Sequence, residues 1–261
     1  MHPSGRVYTR FTLFLYDFFV LRFSNSFAWR CPLNRALEPH FLRHIGAGAQ
    51  QFPDDKADNP KSQSATEKRS KSHLDVGVGT GHYLAVAART GHLRAVDKVV
   101  LLDLNPITLV TAKKRLQDAG YAGEIELVEG DVLANWDTFP PSLKHPDHKF
   151  HSISLYYLLH CLPGSMSEKA SKVFSNMKRI MVEEGCVYGA TILGKTHAPH
   201  NILGRTLLGV YNRKGIFSNE NDSKESLEGA LREHFRVVEV TVVGNVALFS
   251  ARGPILHDEA Q

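Results

Sequence analysis

Cysteine is scarce: the 261 residues hold three, Cys31, Cys161 and Cys186, far apart and with no Cys-x-x-Cys pair. An odd, scattered set argues against a disulfide framework and a zinc site, and it fits a reducing, cytoplasmic setting. No metal is expected. Long apolar runs are missing too. The strongest candidate, residues 11–20, is interrupted by Asp17 and closed by Arg22, and no small-residue cleavage signature follows it. A bilayer span needs about 20 uncharged residues, so neither a membrane span nor a cleaved leader is expected. Charge of one sign is not in excess, with 31 Lys and Arg against 27 Asp and Glu. The densest basic stretch, from Lys61 to Lys71, is diluted by Ser, Gln and Glu and makes no basic face for a nucleic acid. What is present is ordinary globular material, 43% hydrophobic and 22% charged, enough to bury a core without staples.

The composition changes along the chain. Residues 1–45 read as a helical cap: Phe11, Leu15, Phe18 and Phe19 recur at helical spacing, and Leu37, Phe41 and Leu42 follow. Residues 46–72 are polar and carry no apolar period, as a flexible loop would. Residues 73–253 alternate between short apolar runs and helical patterns, and residues 254–261 form a tail. Strands are expected at 74–78, 99–104, 125–128, 150–157, 186–193, 236–243 and 246–251. Helices are expected at 81–89, 107–116, 167–182, 202–211 and 226–234. Gly244-Asn245 between the last two strands is a hairpin signal. No internal repeat is visible. The pattern predicts one doubly wound α/β domain: a seven-stranded, mostly parallel sheet with an antiparallel C-terminal hairpin and an N-terminal helical lid. Such sheets bind ligands beyond the carboxyl ends of their strands.

The first strand runs into Asp75-Val76-Gly77-Val78-Gly79-Thr80-Gly81-His82. Glycines at every second position let the backbone turn tightly and approach a ligand at a helix start. A dinucleotide fingerprint wants a third glycine where His82 stands. The second strand ends in Asp103-Leu104-Asn105 and the third in Gly130-Asp131-Val132. An acidic residue at the second strand end can accept from both ribose hydroxyls, although either aspartate could instead cap the following segment.

D-x-G-x-G-x-G followed by these two acidic strand ends resembles the class I S-adenosylmethionine-dependent methyltransferases, whose fold is Rossmann-like. Residues 154–164, 189–194 and 211–217, with Tyr16-Asp17, Ser24-Asn25 and Trp29-Arg30-Cys31-Pro32, resemble the small "type 12" subgroup. The resemblance implies S-adenosyl-L-methionine as cofactor. Asp75, Gly77, Val78, Gly79, Thr80 and Gly81 would form its cradle. Asp103 would hold the ribose, Leu104 would flank the adenine, and Asp131 and Val132 would close the nucleobase pocket. Tyr156 would stand near the methionine end, where relatives commonly carry a small polar residue. His151 stands where many carry an acid. Methyl transfer by in-line displacement needs alignment and exclusion of water rather than a catalytic triad.

Tyr16, Tyr156 and Tyr157 are candidates to face the sulfonium. Trp29, Tyr16, Tyr157 and His160 are candidates for the substrate side. His160 is the best-placed general base, unless it only satisfies a backbone group in the core. The Phe- and Leu-rich cap suits a small apolar or aromatic substrate, as in secondary metabolism. Two other readings stay open: a nicotinamide-dependent reductase on a similar sheet, and a methyltransferase-like binding protein that transfers nothing.

Overall fold

The computed structural model describes residues 24–45, 71–144 and 149–256. Tyr16, the helix expected over residues 11–19 and nearly all of the polar stretch at 46–72 lie outside the described residues. A short π-helical turn, Leu33–Leu37, leads into α1 (Glu38–His44). Then follow β1 (Ser72–Val76), α2 (His82–Arg89), β2 (Lys98–Asp103), α3 (Pro106–Asp118), β3 (Glu124–Glu129), β4 (Phe150–Tyr156) and α4 (Met166–Arg179). The chain continues through β5 (Met181–Ile192), α5 (Ile202–Arg213), α6 (Lys224–Arg232), β6 (Phe235–Val243) and β7 (Val246–Pro254).

The seven strands form one sheet in the order β3-β2-β1-β4-β5-β7-β6. The first five are parallel, and β7 runs antiparallel to both β5 and β6. This is the predicted Rossmann-like sheet with its closing hairpin. The strand order reverses between β1 and β4, which opens a crevice at their carboxyl ends.

Both faces of the sheet are covered, which is why its central strands read as near-continuous apolar runs. On one face Val100, Leu102, Ile153, Leu155 and Phe249 pack against Phe174 and Met177 of α4 and Leu227 and Leu231 of α6. On the other, Val99, Leu101, Tyr188 and Ala190 pack against Leu84 of α2, Leu109 and Leu116 of α3, and Phe41 of α1. Local signals start the helices. Asn105 caps α3 with Pro106 at its first position, and Ser165 and Glu168 make a capping box for α4.

The helix expected over 167–182 stops at Arg179, and β5 begins at Met181 rather than at 186. The Phe150 amide donates to the Ile180 carbonyl at 2.7 Å, and Phe150 pairs with Met181. Sheet pairing therefore claims residues that the apolar period assigned to the helix. The hairpin turn also anchors the N-terminal part. The Asn245 amide donates to the Trp29 carbonyl, and its side chain donates to the Ala28 carbonyl. Gly244 sits at φ +59°, where a Cβ would run into the Trp29 and Arg30 carbonyls.

Candidate cofactor and active site

A cavity lies over the carboxyl ends of β1 to β4, at the point where the strand order reverses. At the end of β1 the chain turns through Gly77 (φ +70°), Gly79 (φ +54°) and Gly81 (φ +70°), values that L side chains rarely adopt. Gly77, Val78, Gly79 and Thr80 line the cavity. A Cβ on Gly79 would meet no atom within 4 Å, so this part of the loop faces open space. Gly81 does something else. It is absent from the cavity wall, and a Cβ there would lie 2.9 Å from Ala112, so it lets α2 pack closely on α3.

At the end of β2, Asp103 is held by two backbone amides: Asn105 donates to Oδ1 at 2.9 Å and Gly79 to Oδ2 at 3.3 Å. Burial raises its pKa, and these bonds oppose the rise. The helix-cap alternative for Asp103 falls, because Asn105 Oδ1 takes that place by accepting from Ile107 at 2.9 Å. Leu104 stands beside it in the wall. After β3, Asp131 closes a turn by accepting from the Leu133 amide at 2.9 Å, and Val132 is buried next to it.

The β4 end is aromatic. Tyr156 lines the cavity, and its hydroxyl lies 2.6 Å from Nδ1 of His40 on α1. Burial and the neighbouring His44 and Arg43 push the His40 pKa down to about 3, so this imidazole is neutral and accepts from the phenol. Tyr83 packs on Tyr156 at 4.5 Å between ring centroids. Tyr157 holds φ +59°, costly for a bulky residue, with its amide on the Ala190 carbonyl and its hydroxyl donating to Asn25 Oδ1 at 2.8 Å.

Asp75 is the deepest carboxyl of the wall. Burial, with Asp103 nearby, pushes its pKa up to about 7, against the hydrogen bond from Ser154. Three carboxyl groups, Asp75, Asp103 and Asp131, line the cavity, and among the described lining residues there is no Lys or Arg. Such a wall suits a cation and disfavours a pyrophosphate.

The comparisons agree with this chemistry. A methyltransferase-domain family model matches residues 74–185. The chain is 39% identical over 230 residues to the uncharacterized protein YbcY of Escherichia coli strain K12, covering 88% of this chain and 97% of that one. It is 36% identical over 250 residues to the physcion biosynthesis cluster O-methyltransferase of Aspergillus chevalieri, covering 96% and 95%. This chain belongs to the S-adenosylmethionine-dependent methyltransferases. The fold agrees over nearly the full length with the DhpI–SAH complex, at TM-score 0.56 and 14% identity, covering 96% of this chain and 95% of that one.

The methyltransferase walls fit S-adenosylmethionine. The glycine turn leaves room for a ligand against its backbone, and the carboxyl groups match a molecule with a sulfonium, an ammonium and a ribose diol. Among the described lining residues no Lys or Arg pairs with the phosphates that a nicotinamide cofactor would bring.

Several expected residues lie elsewhere. His160 does not line the cavity. It is buried beneath it, where the Ile192 amide donates to Nδ1 at 3.4 Å and Phe217 packs on the ring at 4.5 Å. Burial pushes its pKa down to about 3, and the residue occupies the core position that is the alternative to a general base. Trp29 is a core residue too, packed between His200 and Phe217, and is not in the wall. His151 receives the Ser72 amide at the other end of β4, away from the cavity.

Sequence reading missed His82, Tyr83, Thr108, Leu158, Cys161 and Leu162 as lining residues. It also missed the link from α1, where Glu38 pairs with His82 at 2.9 Å. The glycine motif pointed as far as His82; nothing local marked Tyr83 or His40.

Proposed function

We propose that this methyltransferase modifies an oxygen of a small aromatic molecule of secondary metabolism. The observation that carries this reading is the division of the cavity: carboxyl groups toward β1 to β3, and phenolic rings, Tyr83, Tyr156 and Tyr157, toward β4. The first part suits a polar cationic cofactor, and the second suits a flat apolar acceptor. The name of the Aspergillus chevalieri relative supports oxygen and a biosynthetic cluster.

When bound, the cofactor supplies an electrophilic methyl group on a sulfonium. The chain's own residues bind, orient and keep water out. In this reading Gly77, Val78, Gly79 and Thr80 lie along the cofactor, and Asp103 accepts the ribose hydroxyls. Leu104, Asp131 and Val132 enclose the adenine. Tyr156 and Tyr157 hold the acceptor against the methyl group and exclude water. Residues 24–45 form the described part of the cap at that acceptor end, and residues 73–253 carry the catalytic domain. Asn25 joins this cap to Tyr157. The cysteines Cys31, Cys161 and Cys186 are free, and no described helix is long and apolar enough to cross a membrane. A cytoplasmic enzyme with no nucleic-acid partner fits these facts.

Calorimetric titration with S-adenosylmethionine tests the cofactor part. Asp103→Ala removes charge-assisted bonds worth about 1.5–3 kcal/mol, so affinity should fall roughly 10- to 150-fold. NADPH should not bind. A screen of phenols, read as S-adenosylhomocysteine release, tests the acceptor part. Turnover confined to amines or to protein substrates would overturn it.

A further inference from the structure

On the β4 side, a row of buried polar side chains leads from the sheet interior to the cavity wall. Ser152 Oγ lies 2.8 Å from His73 Nδ1, and His73 Nε2 lies 3.1 Å from Ser154 Oγ. Ser154 Oγ in turn lies 2.5 Å from Asp75 Oδ1. His73, Ser152 and Ser154 are fully buried, and of the four only Asp75 reaches the cavity. Strand register builds the row: His73 pairs with Ser152 and Asp75 with Ser154 across β1 and β4. Residues two apart on a strand share a face, so the four side chains stand together.

The row has two complete hydrogen-bonding arrangements. With Asp75 ionised, Ser152 donates to Nδ1, Nε2–H donates to Ser154, and Ser154 donates to the carboxylate. With Asp75 protonated, every bond reverses: the carboxyl donates to Ser154, Ser154 to Nε2, and Nδ1–H to Ser152. His73 changes tautomer and stays neutral, since burial pushes its pKa down to about 3. Both charge states of Asp75 are satisfied without an unpaired buried group, which an apolar residue or a lysine at position 73 could not achieve.

We infer that His73 is a positioning residue whose reversible chain lets Asp75 ionise and pair with the ammonium group of the cofactor, so that cofactor binding at acid pH releases up to one proton. The balance is simple. The proton leaves Asp75 for solvent, a carboxylate–ammonium pair forms, and no covalent bond of the cofactor changes. Placing the ammonium here rests on the cofactor reading above. If the nucleoside lies toward Asp103 and Asp131, the amino-acid end falls at β1 and β4.

The other titratable groups facing Asp75 are Asp103 from β2, Tyr156 from β4 and Tyr188 from β5. Burial raises the pKa of both phenols well above the ordinary value, so they stay neutral, and Asp103 opposes a second negative charge. The Asp75 pKa near 7 sets the window. A cation stabilises the ionised form, so affinity is full above that pH and declines as pH falls below it.

The test titrates the full chain with S-adenosylhomocysteine and with methylthioadenosine, which keeps the nucleoside but lacks the amino-acid end. S-Adenosylhomocysteine affinity should fall by up to about tenfold per pH unit below about pH 7, with methylthioadenosine changing less than about twofold. His73→Phe should weaken S-adenosylhomocysteine about tenfold at neutral pH and move its pH midpoint upward, sparing methylthioadenosine. His73→Gln, whose amide both donates and accepts, should recover most of that loss. If the Phe variant fails to fold, Ser154→Ala makes the same test.

A flat pH profile for S-adenosylhomocysteine, or equal loss of both ligands in the variants, would overturn the inference. A profile seen with S-adenosylmethionine alone would move Asp75 to the sulfonium and overturn it as well. Absence of binding by every one of these ligands to the unaltered protein would instead remove the cofactor reading, and this inference with it.

Discussion

His73 on β1 and His160 in the turn after β4 show how far one residue type can diverge at neighbouring strands. Both are buried, and burial pushes the pKa of each down to about 3. His160 meets the Ile192 amide and Thr191 and packs behind Tyr157 without lining the cavity itself, whereas His73 is coupled to a carboxyl that does line it. His160→Asn should leave the pH profile of methyl transfer unchanged and lower stability by about 1–3 kcal/mol, read from urea unfolding. A lost acid limb in that variant would restore His160 as a base. Tyr157 contributes differently. Its left-handed backbone is held by Ala190 and its hydroxyl by Asn25, so the ring's place in the wall is set from two sides.

Lys169 on α4 joins three separate segments. Its ammonium donates to the Ser218 carbonyl at 2.6 Å and the Leu162 carbonyl at 3.3 Å, and it pairs with Asp222 at 2.8 Å. Both side chains are nearly inaccessible, at 0% and 3% exposure. Leu162 lines the cavity, so this pair helps hold the loop after β4 against α4. Removing one member leaves the other charge buried alone, so Lys169→Met should cost about 3–5 kcal/mol. Adding Asp222→Leu should return much of that loss, because two apolar residues bury no charge. Equal stability of the single and double variants in denaturant melts would contradict this. The capping box of α4 is readable in Ser165 and Glu168; the lysine's partners Ser218 and Asp222 are not, since they come from one loop 49 and 53 residues further on.

Across the whole molecule, buried ionisable groups tie stability to pH. His40, His73 and His160 have folded-state pKa values pushed down to about 3. An unfolded histidine titrates near about 6.5, so below that pH only the unfolded chain gains these protons, and each site removes about 1.4 kcal/mol per pH unit. Asp75 works the other way. Its folded-state pKa is raised to about 7, so between there and its unfolded value the folded state binds the extra proton and gains stability as pH falls. His44 and His200, also lowered, add to the loss, and Asp103 and Asp222, also raised, add to the gain, so the histidines leave a net fall of about 1–3 kcal/mol per pH unit between about pH 6 and about pH 4. Against a typical total of about 5–15 kcal/mol, this is a large loss, and the urea midpoint of the apoprotein should fall steadily from about pH 6 to about pH 4. A urea midpoint that stays flat across this range would count against the burial of these histidines.

Much of this molecule can be read along the chain. Apolar runs of strand length, helical periods and the Gly244-Asn245 turn specify the sheet, because backbone propensity and burial patterns are local and repeat every two or 3.6 residues. The glycine turn after Asp75 and the acidic ends of β2 and β3 mark the cofactor side for the same reason: each is a short stretch with its own conformational demand. The start of β5 at Met181 went unread because pairing with Phe150 decided it. His40 on Tyr156, Asn25 on Tyr157 and Ser154 between His73 and Asp75 join residues 79 to 132 positions apart. Such contacts leave no periodic trace. They exist only after the strands have taken their register and the cap has been pinned to the hairpin, because packing, not local propensity, chooses which buried polar groups meet.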